Sequence, residues 1–75
     1  MQPYQNLNGN SGVASYESGP DSITVQFRDG DTYVYDDTQP GADHVQRMKE
    51  LAEAGRGLST YISKYVRDRY ARKVR

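Results

Sequence analysis

Between Ser22 and Asp36 the chain reads SITVQFRDGDTYVYD, and this stretch restricts the fold more than any other. Ile23, Val25 and Phe27 alternate with Thr24 and Gln26, the period of a strand with one buried face. Asp29-Gly30 then supplies the chemistry of a hairpin turn, and Tyr33, Val34 and Tyr35 continue in an extended pattern. Because side chains alternate, a one-residue change in the turn exchanges the two faces of the returning strand. A two-residue Asp29-Gly30 turn sets Val34 beside Val25 and points both tyrosines away from the apolar face. A three-residue Arg28-Asp29-Gly30 connection, with Gly30 left-handed, pairs Phe27 with Asp31, Val25 with Tyr33 and Ile23 with Tyr35. The second register is preferred because it gathers one large apolar face able to receive helices. Turn chemistry alone does not decide between the two.

That preference rests on size. The chain has 75 residues, of which 35% are hydrophobic, and no cysteine. This suffices for one domain, near the lower limit for a single unaided core. Disulfides and thiolate metal sites are excluded, and an enclosed active site competes for scarce core volume. Residues 1–12, MQPYQNLNGNSG, lack the basic start and apolar stretch of an export signal, and no apolar run reaches membrane-spanning length. The expectation is a cytoplasmic protein without a membrane partner.

Along the rest of the chain, residues 1–12 show no periodicity and are read as a flexible segment. Val13–Glu17 reads as a short strand, with Val13, Ser15 and Glu17 on one face and Ala14 and Tyr16 on the other, followed by the turn residues SGPD. Thr38-Gln39-Pro40-Gly41 ends the sheet. Asp43 and Gln46 form a capping-box pattern, and Val45, Met48, Leu51 and Ala52 recur at helical spacing up to a left-handed stop at Gly55. After Gly55-Arg56-Gly57, Ser59 is the expected cap of a last helix with Leu58, Tyr61, Ile62, Tyr65 and Val66 on its apolar face. Packing is expected to stop between Val66 and Tyr70. The predicted fold class is α+β: a three-stranded antiparallel meander, then a two-helix hairpin on one face, in the order β-β-β-α-α. Residues 13–70 form the single domain, and residues 71–75 are read as a basic tail prone to fraying.

The order of these motifs, a strand with Tyr16, then ITVQF, an aspartate-glycine turn, YVY, a helix, a Gly-rich connection and YISKYV, resembles the KTSC domain. The resemblance spans roughly Ser11 to Tyr70. Tyr33 and Tyr35 match the tyrosine-x-tyrosine motif at the centre of that family, and Ile62 and Tyr65 match its last helix. Ser59 stands where many members carry asparagine. Gly55-Arg56-Gly57 departs from the family's serine-x-glycine, and DDTQP replaces an apolar segment. The family occurs as small bacterial proteins and at the C-terminus of some lysyl-tRNA synthetases. The resemblance therefore implies an RNA partner by association only.

The residues themselves argue against catalysis. His44 is the one histidine, beside Asp43 in a helix first turn, and no convergent set of catalytic groups surrounds it. Asp29, Asp31, Asp36 and Asp37 lack the ligand spacing of a calcium loop and fit turn and edge roles better. No metal, cofactor or small-molecule substrate is expected. The distinctive feature is charge. Residues 1–55 carry three basic against nine acidic side chains, and residues 56–75 carry seven against one. Arg56, Lys64, Arg67, Arg69, Arg72, Lys73 and Arg75, with Tyr70 free to stack, form a candidate nucleic-acid surface on the last helix. A solvated helix face complementing the dipole is the competing account. The alternative function is a protein-interaction module using the tyrosine-bearing sheet or an open edge strand.

Overall fold

The computed structural model describes all residues except Asn8 and Asn10. Ser22–Phe27 (β3) and Thr32–Asp36 (β4) form the hairpin in the three-residue register: Val25 lies opposite Tyr33 and Ile23 opposite Tyr35. The Phe27 N–H donates to the Asp31 carbonyl at 2.8 Å, and Gly30 takes φ 98°. Asp29 completes the turn by accepting the Asp31 N–H at 3.0 Å.

Val13–Ser18 (β2) pairs antiparallel with β3, but with a bulge between Val13 and Ser15. The extra residue resets the alternation, so Val13 and Tyr16 both face the core, at 1% and 5% exposure. Simple alternation had put them on opposite faces. Gln2–Pro3 (β1) adds an edge strand to β2. The segment read as flexible thus contributes a strand, and it also contributes the buried Tyr4. Tyr4 lacks the alternating neighbours by which a strand is recognised. Asn8 and Asn10, in the same segment, lie outside the described residues.

The sheet therefore has five strands in the order β1-β2-β3-β4-β5, all antiparallel, where three were expected. Its fifth strand, Arg72–Lys73 (β5), comes from the tail expected to fray. Tyr33 pairs with Lys73 and Val34 with Arg72. Bonds from Ala71 N–H to the Val34 carbonyl and from Val74 N–H to the Thr32 carbonyl, both 2.7 Å, extend the contact. An unpaired β4 edge would leave these carbonyls without partners, and the tail supplies them.

One face of the sheet carries the helices. Ala42–Ala54 (α1) packs across β3 and β4 through Val45, Met48 and Ala52. The capping box does not form. Gly41 is the N-cap, the helix starts earlier than the motif implied, and Asp43 lies inside its first turn. There its carboxylate complements the helix dipole instead. Asp36 organises the preceding turn, accepting from the Thr38 hydroxyl at 2.6 Å and the Gln39 N–H at 3.1 Å. Those bonds, Thr38 first, hold its carboxyl below the usual range.

Leu58–Tyr61 (α2) begins after Gly57, not at Ser59. Its first N–H, that of Leu58, donates to the Tyr4 hydroxyl at 3.2 Å. A helix start needs donors satisfied from outside its own ladder, and here the N-terminal segment satisfies one. From Ile62 to Val66 the helix widens into a π turn, closed by the Arg67 N–H to the Ile62 carbonyl at 2.6 Å. Arg67, at φ 24°, ends it. The basic stripe expected on a continuous last helix is therefore divided between a π turn, a loop and an edge strand. Ile23, Val25, Tyr35, Met48 and Leu58 are at most 1% exposed and form the core centre. Each contributes roughly 1.5–3 kcal/mol of burial.

Candidate nucleic-acid interface

The π turn decides which aromatic ring meets solvent. In an α-helix Tyr65 would sit on the stripe of Leu58, Tyr61, Ile62 and Val66. A π turn rotates less per residue, so Val66, four residues on, stays on the Ile62 side as it would in an α-helix, while Tyr65, three residues on, is turned further from it. Tyr65 swings off that face and is 54% exposed, whereas Ile62 and Val66 are 6% and 1% exposed. The sequence reading had placed Tyr65 in the core. The signal for its true position, a widened turn, has no local sequence code.

Tyr65 lies in one shallow depression with Lys64, Arg67, Asp68 and Arg69. Three of the expected cations are thus brought together around an exposed ring, against one carboxylate. The other four lie elsewhere. Arg56 lines a small polar hollow with Asn6, Ser11, Ser59 and Thr60. Arg72, Lys73 and Arg75 are exposed on or beside β5. Lys73 is engaged by Asp31 at 3.6 Å and lies 5.7 Å from the Tyr33 ring centroid.

Tyr70, the ring expected to be free, is half-buried. Its centroid is 4.5 Å from that of Tyr33 and 6.5 Å from that of Tyr35. Tyr35 is 1% exposed, and burial, reinforced by Tyr33 and Tyr70, pushes its hydroxyl up to about 12. The two motif tyrosines therefore belong to the helix-covered face. Tyr33 is half-buried and packs edge-on to Phe27 at 5.9 Å. With Gly12, Arg28, Asp29 and Asp31 these two rings line a second shallow depression.

Behind Tyr65 the rings continue. Tyr61 lies 4.8 Å from it, tilted by 44°, and packs on the core. The Tyr61 hydroxyl is 2.7 Å from His44 Nδ1 on α1. The hydroxyl donates if the imidazole proton is on Nε2 and accepts if it is on Nδ1. Burial pushes the Tyr61 hydroxyl up against the opposing pull of Arg47, so it stays protonated at neutral pH.

Chemically, the π-turn depression offers cations and one aromatic face, the means of holding a phosphodiester strand and stacking a base. Among the described residues no group of three or more His, Asp or Glu is placed to hold a metal ion. No helix there is long and apolar enough to cross a membrane. The protein is an α+β domain, an antiparallel sheet covered on one face by helices, with a basic aromatic depression at the end of the last helix. No family model, curated protein or solved structure matches this chain.

Proposed function

We propose that this protein is a non-catalytic nucleic-acid-binding module, with RNA as its partner, acting through Lys64, Arg67 and Arg69 around Tyr65. The observation that carries the reading is the 54% exposed Tyr65 ring in one depression with those three cations. Cations neutralise phosphates, and an aromatic face accepts a base whatever its sequence. Tyr65 takes the stacking role that the sequence had suggested for Tyr70. The resemblance to the KTSC domain and its association with lysyl-tRNA synthetases favour RNA over DNA. The other basic residues of the set, Arg56, Arg72, Lys73 and Arg75, add general attraction for a polyanion.

The test is an NMR titration of labelled protein with a tRNA pool and with a single-stranded RNA mixture, at low and moderate salt. Shifts centred on residues 64–69 that fade as salt rises are expected. Charge reversal by Lys64→Glu with Arg67→Glu abolishes them. An absence of shifts at low salt overturns the reading and makes these cations a solvated surface.

A protein-interaction module is a second reading, favoured by the depression that Phe27 and Tyr33 line. Tyr35 is buried and β5 covers the β4 edge, so that reading rests on Phe27 and Tyr33 or on the outer edge of β1. It expects Phe27→Ala to lose a partner in pull-down while the fold, followed by circular dichroism, persists.

A further inference from the structure

We propose that His44, Tyr61 and Tyr65 form one preset base-stacking platform, so that the ligand of this site is an unpaired stretch of nucleic acid held by its base faces as well as its phosphates. The inference rests on the nucleic-acid reading above and names what that site selects. An exposed tyrosine on a helix end ordinarily samples several rotamers, and a ligand that stacks on it must first immobilise it. Tyr65 is instead backed by the Tyr61 ring at 4.8 Å. Tyr61 is pinned in turn from two sides, by the core it packs on and by His44 at 2.7 Å. The His44 ring adds an edge contact with Tyr61, centroids 5.8 Å apart and planes at 61°. The chain of contacts runs from α1 through α2 to the π turn, and fixes the free Tyr65 face before any ligand arrives.

Lys64, Arg67 and Arg69 line the same depression as Tyr65, so a base on that ring leaves its flanking phosphates toward positive charge. A duplex buries its base faces in its own stack, whereas an unpaired segment exposes them. Tyr65 is the contact residue. Tyr61 and His44 act through it and are positioning residues.

The experiment compares three ligands by fluorescence anisotropy at low salt: a labelled oligouridylate of about eight nucleotides, an abasic ribose-phosphate strand of equal length, and an RNA duplex. The base-bearing strand is expected to bind about tenfold more tightly than the abasic one. Tyr65→Ala is expected to remove that difference. Tyr61→Phe keeps the ring and releases His44. It is expected to lower the ratio of the two affinities while leaving abasic binding intact, whereas a merely structural role would weaken both ligands together. Tyr65→Trp gives a direct signal, indole emission quenched by the base-bearing strand and unchanged by the abasic one. Equal affinity for the two single strands, with a normal salt dependence, overturns the platform and leaves the phosphate-binding reading standing. An unchanged ratio in Tyr61→Phe overturns the positioning role. Failure of all three ligands to bind overturns both readings.

Discussion

At the scale of single residues, the tyrosines do different work according to where the backbone leaves them. Tyr4 lies far from α2 in sequence, yet its hydroxyl accepts the Leu58 N–H. Removing that hydroxyl leaves a buried donor without a partner, at a cost of about 1–3 kcal/mol. Tyr4→Phe is therefore expected to lower the urea midpoint with an unchanged m-value. Tyr35 sets a limit at high pH. Its hydroxyl is raised from 10.0 to about 12 in the folded state, so the folded protein holds this proton after the unfolded chain has lost it. Its contribution to stability is complete below about pH 10 and is lost as pH rises to about 12. Tyr16 and Tyr61 are raised as well, burial being the main cause. Denaturation curves across that window should show falling stability, and Tyr35→Phe should make the fall shallower.

At the scale of elements, two glycines with similar backbones separate conformational strain from crowding. Gly30 takes φ 98° with open space where a Cβ would stand, whereas Gly55 takes φ 79° with Gln5 Cβ 2.8 Å from that point. Gly30→Ala is expected to cost about 1–2 kcal/mol, the left-handed penalty alone. Gly55→Ala should cost more, because the N-terminal segment must also move, and thermal unfolding of the pair measures the difference. β5 raises a different question. Arg72 and Lys73 look like the end of a basic helix, but the π turn and Arg67 divert the chain to the β4 edge. Deleting residues 71–75 should uncover the β4 edge and Tyr33. The expected results are a lower melting temperature and concentration-dependent association by analytical ultracentrifugation.

At the scale of the whole molecule, the ion pairs among the described residues add little to stability. The ion pairs among the described residues are exposed at one or both side chains: Met1–Glu17, Arg47–Glu50 and Lys73–Asp31. Pairs of this kind contribute about 0–1 kcal/mol each. Stability should therefore change little when salt is raised to about 0.5 M, a concentration at which exposed charges are well screened. Under the proposed function, RNA affinity should behave differently. Three neutralised phosphates on a single strand give a log–log salt slope of about −2, at about −0.7 per phosphate. Measuring unfolding and binding over one salt series separates the two. A slope near zero would mean that Lys64, Arg67 and Arg69 do not meet phosphates.

The α+β class, the β3–β4 hairpin with its tyrosines inward, and α1 with its stop at Gly55 were legible in the sequence. The class, the hairpin and the helix are encoded locally, by a two-residue period, an aspartate-glycine turn, a helical period and a glycine, whereas the inward register of the tyrosines was preferred for the single large apolar face a small domain needs. The bulge in β2, the strand status of residues 2–3 and 72–73, the burial of Tyr4 and the half-burial of Tyr70 had no such code, because each depends on a partner distant in the chain. The candidate site followed the same division. Its cations could be named from residues 56–75, but their grouping and the ring among them could not. Tyr65 reaches solvent because the widened turn from Ile62 to Val66 rotates it off the apolar stripe. That turn belongs to the folded backbone, and the helical period of residues 58–66 does not encode it.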